Sequence, residues 1–271
     1  MGIKENTLAQ WRAWQTAQGL SHRTIDERER FISSFLTEVN TDPLGILPQH
    51  IIAYMGRPSL GRSGRATYHS HLRAYSRWLI RTKQRADDPT METPTPRHPK
   101  GLPRPVTRTN LTDTLLAADR PRTRMMILLA SLQGLRIHEI AKIRGEDIDM
   151  DGLNMTVTGK GNKTAYLPLH ETVALFAVNF PRYGYWFPSG DGCVQSKSVG
   201  ITITRTMRRA GVRGTPHMLR HFFASSLVQN GVDLRTIQQL LRHESLATTQ
   251  IYTQVTDHAR RTAMDGLRLV S

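Results

Sequence analysis

A tyrosine, two histidines and an arginine lie within one basic stretch in the last quarter of the chain. Tyr252 comes nine residues after His243 (252 − 243), and His217 and Arg220 lie upstream on a segment with helical periodicity. A tyrosine hydroxyl surrounded by cationic donors can become a covalent nucleophile toward a phosphodiester. This stretch therefore indicates phosphate chemistry without a metal.

The segment 217–229 has the apolar periodicity of a helix, and His217, Arg220 and His221 share its second face. An arginine flanked by two histidines can donate several hydrogen bonds to one phosphate. A zinc site at His217 and His221 is an alternative, but the segment lacks the glutamate of the His-Glu-x-x-His pattern and an evident third ligand. An ordinary solvated polar face is the other alternative.

Lys160 lies in a predicted turn, Gly159-Lys-Gly-Asn162, between an alternating segment at 153–157 and a returning strand at 163–169. The turn does not match a P-loop, because serine or threonine does not follow Gly-Lys directly and the earlier glycine is missing. A lysine at a hairpin tip can still reach into a groove or toward a leaving oxygen. Most turn lysines are merely solvated.

The composition favours a polyanionic partner. The 271 residues carry a net charge of +15, with an isoelectric point near 10.7 and 38% hydrophobic residues. Both halves are basic, which indicates a nucleic-acid partner rather than a charged tail. The single cysteine, Cys193, excludes an internal disulfide and a four-thiolate metal site. We expect a cytoplasmic protein with no membrane association, since no signal peptide opens the chain and its apolar runs are short.

Six of the 14 prolines fall between residues 89 and 105, which predicts a linker at 89–106. The linker separates a helical domain at 1–88 from a second domain at 107–271. In the first domain, Ser21 is a predicted helix cap. A further helix is predicted over Arg65–Arg81, preceded by a loop at 61–65 whose amides and guanidiniums suit a phosphate.

A basic stripe on the predicted Arg65–Arg81 helix is separate from its apolar stripe. Together with the preceding loop it gives the predicted DNA-binding residues, which are Arg62, Arg65, His69, Arg73 and Arg77. The alternative is a solvated basic face on an ordinary helix.

The order of these chemical groups along the chain resembles the tyrosine recombinase family, which comprises the phage integrases and Xer-type recombinases. The resemblance is carried by Gly134-Leu-Arg-Ile-His-Glu-Ile140, Thr158-Gly-Lys-Gly-Asn-Lys163, His217-Met-Leu-Arg-His-Phe-Phe-Ala-Ser225 and Leu240-Leu-Arg-His-Glu-Ser-Leu-Ala-Thr-Thr-Gln-Ile-Tyr252. These strings span nearly the whole second half, and the first half is similar to the family's core-binding domain. Arg242 is a departure, because the family usually has glycine before this histidine.

The resemblance implies a role for each group of the predicted catalytic set. Tyr252 is the expected nucleophile, forming a 3′-phosphotyrosyl bond, and Lys160 the general acid for the leaving 5′-oxygen. Arg136 and Arg220 would hold the non-bridging oxygens and stabilise the transition state. His217 would assist proton transfer and His243 would position the phosphate, while Glu139 would support Arg136. No cofactor or metal is expected.

The implied fold is mostly α with a small antiparallel β-sheet, in which a core-binding domain and a catalytic domain form a C-shaped clamp on duplex DNA. The implied activity is site-specific recombination by a homo-tetramer on two synapsed core sites, with accessory factors as further expected partners. A tail helix at 258–269 would dock on a neighbouring protomer, and no arm-type DNA-binding domain is expected. A phage or mobile-element integrase is favoured. The alternatives are an Xer-type resolvase of chromosome dimers, a type IB topoisomerase and a non-catalytic DNA-binding regulator.

Overall fold

The computed structural model describes residues 2–97, 104–159 and 164–242. The chain divides into two compact units, Met1–Gly101 and Leu102–Ser271. Each has its own hydrophobic core. In the described part of the chain, no helix is long and apolar enough to cross a membrane.

The first unit is built from four helices around an aromatic core. They are α1 (Ile3–Ala17), α2 (His22–Glu38), α3 (Pro48–Gly56) and α4 (Arg62–Arg81). Ser21 caps α2 as predicted, because its side chain accepts a hydrogen bond from the Thr24 N–H at 3.2 Å. The Trp11 and Tyr75 rings meet edge to face at 4.9 Å between centroids, which joins α1 to α4.

Two predictions about α4 are wrong. The helix begins at Arg62, not Arg65, so both arginines lie in its first turn instead of a preceding loop. His69 does not belong to an exposed basic stripe, because it is only 5% exposed. Its Nε2 is 3.0 Å from the Thr93 hydroxyl, a partner 24 residues away that the sequence pattern does not reveal.

The second unit is mostly helical. Its helices are α5 (Arg108–Leu116), α6 (Pro121–Leu132), α7 (Ile137–Lys142), α8 (Glu171–Ala177), α9 (Ser196–Arg209), α10 (Pro216–Gln229) and α11 (Leu234–Leu241). Helix α6 is apolar nearly all round and is central to the core, where it packs on α10. The unit thereby holds α10, with its histidines and arginine, against the chain segment that leads into α7.

A three-stranded antiparallel sheet, in the order β1-β2-β3, covers one side of this core. Its strands are β1 (Ile148–Asp149), β2 (Asn154–Thr158) and β3 (Thr164–Pro168), and a separate pair is formed by β4 (Pro188–Ser189) and β5 (Gly192–Cys193). The predicted hairpin is confirmed, with Val157 opposite Ala165 and Thr158 opposite Thr164. The tip of this hairpin, which carries Lys160, lies outside the described residues.

Gly134 makes the turn between α6 and α7. Its φ of +60° lies in the left-handed region that side chains disfavour. A Cβ built at this position would lie only 2.5 Å from the Phe223 ring of α10. The glycine therefore allows both the reversal of the chain and the close approach of α10.

We expect Gly134→Ala to destabilise the protein by about 1–2 kcal/mol for the left-handed backbone and about 1–3 kcal/mol more for the overpacking against Phe223. Gly231→Ala is the matched control, because Gly231 has a φ of +77° but open space around the added Cβ. Urea unfolding of both variants measures the difference. Equal losses of stability would show that the contact with Phe223 is unimportant.

Candidate active site

Three chain segments meet around two arginines of the predicted catalytic set. Arg136 lies at the N-terminal boundary of α7, Arg220 lies in the second turn of α10, and the C-terminal end of α11 approaches both. Lys160, His243 and Tyr252 lie outside the described residues. The structure therefore brings together Arg136, His217 and Arg220, and the roles of all six residues stay predictions.

Arg220 is a buried cation that connects two of these segments. It is only 1% exposed, and it donates from Nη1 to the Gly134 carbonyl and from Nη2 to the Leu241 carbonyl. One guanidinium thus binds the α6–α7 turn and the end of α11 at the same time, which its planar fork of donors allows. The helix periodicity placed Arg220 on a polar face, but burial against backbone carbonyls makes it a structural connector as well.

Arg136 is held by Glu139 on the first turn of α7. The Arg136 N–H donates to Glu139 Oε2 at 2.7 Å, and the guanidinium Nη1 donates to Oε1 at 3.1 Å. The Glu139 side chain is 1% exposed, whereas that of Arg136 is 34% exposed. The carboxylate therefore fixes an arginine that still reaches the surface, which agrees with the supporting role expected for Glu139.

Arg242 is a third arginine in the same cluster. Its Nη2 donates to Glu139 Oε2 at 2.8 Å, and its Nη1 donates to the Leu240 carbonyl at 3.0 Å. Its own carbonyl is 3.5 Å from Nη2 of Arg136. The end of α11 is therefore connected to α7 by an ion pair as well as by backbone acceptors.

The two histidines of α10 lie side by side, with ring centroids 4.4 Å apart. Burial, the neighbouring His217 and Arg220 lower the pKa of His221 to about 4. The pKa of His217 is lowered too, first by partial burial among neighbouring atoms and then by Arg220 and Arg136. Both rings are therefore largely neutral near pH 7, so each has one nitrogen that can accept a hydrogen bond and one that can donate a hydrogen bond.

Three guanidiniums and one carboxylate leave two net positive charges in this cluster (3 − 1). They come from Arg136, Arg220, Arg242 and Glu139. Preorganised cationic donors of this kind stabilise negative charge that develops on a transferring phosphoryl group. Within the described ranges, no group of three or more His, Cys, Asp or Glu side chains is placed to hold a metal.

The predicted DNA-binding arginines of the first unit differ in their surroundings. Arg62 and Arg77 are exposed, whereas Arg65 donates to the Met55 and Arg57 carbonyls at 2.7 and 3.0 Å. A cavity of about 360 Å³ is lined by Arg62, Arg65, Pro96 and Arg97. The structure thus adds Arg97 to the candidate DNA-binding residues. Helix periodicity could not reveal Arg97, because this arginine lies in the proline-rich segment.

The backbone carbonyls of Gly134 and Leu241, which accept from Arg220, could not be predicted from the sequence. Every residue has a backbone carbonyl, so residue type does not indicate which of them accepts a hydrogen bond from a side chain. Glu139 was signalled by its position three residues after Arg136, the spacing of a capping box. The only sequence signal for Arg242 was that it replaces the glycine that the family usually has before His243.

Comparisons with known proteins agree with this geometry. The phage integrase family matches residues 106–259. The chain is 33% identical over 211 residues to tyrosine recombinase XerA of Thermococcus kodakarensis, which covers 73% of each chain. It is 40% identical to the integrase of mycobacterium phage Brujita, with a TM-score of 0.53 over 98% of this chain and 95% of that one. Lambda integrase, solved as a tetramer bound to a Holliday junction, shares the fold at 18% identity, with a TM-score of 0.73 over 89% of this chain and 77% of that one. The chain belongs to the phage integrase family and is a tyrosine-type site-specific recombinase.

Proposed function

We propose that the protein cuts and rejoins duplex DNA at specific core sites through a covalent bond between Tyr252 and a 3′-phosphate. The observation that carries this proposal is the convergence of Arg136 and Arg220 on the end of α11. From that end the chain continues directly into His243 and, nine residues later, Tyr252. The two arginines therefore contact Leu241 and Arg242, the last described residues before the part of the sequence that contains the proposed nucleophile.

Each step of the proposed reaction has a residue to perform it. The Tyr252 oxygen attacks the scissile phosphorus and gives up its proton with the help of His217, while the bond to the 5′-oxygen breaks. Lys160 gives a proton to that leaving oxygen. Arg136 and Arg220 stabilise the charged transition state, to which a single donor of this kind contributes about 2.7–4 kcal/mol. His243 hydrogen-bonds the phosphate.

The phosphotyrosyl bond conserves the energy of the broken phosphodiester. The 5′-hydroxyl of another strand can therefore reverse the step and complete strand exchange, with no nucleotide or metal consumed. We assign the protein to integration or excision of a phage or mobile element in the cytoplasm of a bacterial host. The 40% identity to the Brujita integrase, compared with 33% to the Thermococcus kodakarensis XerA, supports this assignment over an Xer-type resolvase.

We further propose that the active form is a homo-tetramer on two synapsed sites, as in the lambda integrase complex. An apolar cavity of about 230 Å³ in the second unit offers a docking place for the tail of a neighbouring protomer. Its apolar lining includes Leu132, Leu167, Leu169, Phe223, Leu227 and Leu240. Leu267, Leu269 and Val270 of the tail have the matching apolar character.

We expect the wild-type protein to form a denaturation-resistant adduct with nicked suicide duplexes, because loss of the short 5′ fragment prevents religation. The probe is a pool of nicked duplexes with a randomised core, resolved by denaturing electrophoresis. Tyr252→Phe should bind the same DNA but yield no adduct, since the phenyl ring has no nucleophilic oxygen.

Tyr183→Phe is the matched control, because Tyr183 is 82% exposed in the same unit and has no assigned role. It should form the adduct at the wild-type rate. An adduct with Tyr252→Phe would contradict the assignment of the nucleophile. No adduct from wild type across the pool would favour a DNA-binding regulator, and relaxation of plasmids that lack a captured site would favour a topoisomerase.

We also expect Arg62 and Arg97 to contact DNA phosphates. Replacing both with alanine should reduce the slope of log Kd against log salt by about 2, because each phosphate neutralised contributes about 0.9. Fluorescence anisotropy at several salt concentrations measures the slope.

Arg23→Ala is the control for this measurement. Arg23 is a surface arginine whose side chain is 82% exposed and paired with Glu27 at 2.9 Å. It should leave the slope unchanged. An equal loss of slope in Arg23→Ala and in the double variant would mean that charge in general, rather than the cavity around Arg62, attracts the DNA.

A further inference from the structure

Arg242 adopts a backbone conformation that arginine disfavours. It ends α11 with φ +54° and ψ +47°, one of four described non-glycine residues with a positive φ. Glycine makes this left-handed turn without steric cost, because it has no Cβ. The turn alone therefore gives no reason for an arginine at this position.

The side chain of Arg242 is also buried, which is costly for a cation. It is 12% exposed, and burial lowers the pKa of its guanidinium despite the nearby Glu139 carboxylate. A buried charge needs a partner, and Arg242 has one in Glu139 at 2.8 Å. The left-handed backbone and the burial of the guanidinium are thus both unfavourable for an arginine. Together they place the guanidinium against Glu139.

Glu139 serves two arginines at once. Its Oε1 accepts from Arg136, and its Oε2 accepts from Arg242 and from the backbone N–H of Arg136. Without Arg242, the buried carboxylate would have Arg136 as its only close ion-pair partner among the described residues. The net charge of the cluster would then fall from two to one.

We propose that Arg242 is a positioning residue that shares Glu139 with Arg136, and thereby keeps the Arg136 guanidinium oriented toward the scissile phosphate. It also fastens the end of α11, and with it the chain that leads to His243 and Tyr252, to the start of α7. This inference rests on the proposed strand-exchange function, since it assigns Arg242 an effect on that reaction.

The electrostatics of Glu139 agree with this role. Burial alone would raise the pKa of the Glu139 carboxyl, but Arg242, the Arg136 backbone and Arg220 together lower it below its usual range. The Arg136 guanidinium and His138 are further described titratable groups that interact with this carboxyl. Loss of Arg242 should therefore raise the pKa of Glu139, because burial would be less opposed.

The test compares single-turnover adduct formation by wild type and Arg242→Gly on a duplex recovered from the suicide pool. Glycine suits the turn, so the variant should fold and still bind DNA, and the use of saturating DNA removes any difference in Kd from the comparison. The rate at saturating DNA should fall about tenfold or more, but less than the roughly hundred- to thousand-fold typical of a donor that contacts the transition state. Arg242→Lys should recover part of the rate, and Arg235→Ala, which removes an exposed arginine of the same helix, should lose none.

The pH dependence separates this role from a purely structural one. With a raised Glu139 pKa, the rate of Arg242→Gly should begin to fall at a higher pH than that of wild type as the solution is acidified. The free energy of unfolding should depend on pH for the same reason. A carboxyl whose folded pKa is lowered stabilises wild type above the unfolded pKa, and this stabilisation is lost as pH falls. The difference in stability between wild type and Arg242→Gly should therefore narrow in acid.

A double-mutant cycle with Glu139→Gln completes the test. If Arg242 acts through Glu139, the double variant should lose little more rate than Glu139→Gln alone. Adduct formation by Arg242→Gly at the wild-type rate, or fully additive losses, would overturn the inference while leaving the proposed function intact. Absence of an adduct from wild type would overturn the proposed function itself.

Discussion

The buried guanidinium of Arg220 is the contact on which the rest of the site depends. It joins the Gly134 carbonyl of the α6–α7 turn to the Leu241 carbonyl at the end of α11. A buried cation is tolerated only with such partners, so the turn, the helix end and α10 must be correctly placed together. Gly134 makes this possible because only a residue without a Cβ fits against Phe223. The fold of the second unit thus brings the arginine cluster together.

Next to this contact, Glu139 forms ion pairs with two further arginines, Arg136 and Arg242. Arg136 keeps a third of its side chain exposed while its orientation is fixed, which suits a group that must meet a phosphate from solvent. Arg242 donates to the same carboxylate and so connects the end of α11 to α7. The neutral His217 and His221 add hydrogen-bonding groups without adding charge.

The sequence predicts the elements of this protein better than their contacts. Apolar periodicity was enough for α2, the hairpin and α10, because these patterns are local. The burial of His69 was not predicted, because its partner Thr93 lies 24 residues away in the chain. Helix periodicity does not show that such a segment folds over one residue of the basic stripe. Arg220 was predicted as a phosphate ligand, but its backbone acceptors follow only from the tertiary fold. The left-handed turn at Arg242 has no signature in the residue type.

The central claim is that this arginine cluster activates one tyrosine toward DNA, and the attachment site tests it most directly. Wild-type protein trapped on a suicide duplex can be digested with protease and nuclease, and the peptide that retains a nucleotide identified by mass spectrometry. The account predicts a phosphodiester remnant on Tyr252 and on no other side chain. A remnant on another tyrosine, or on a serine, would contradict it.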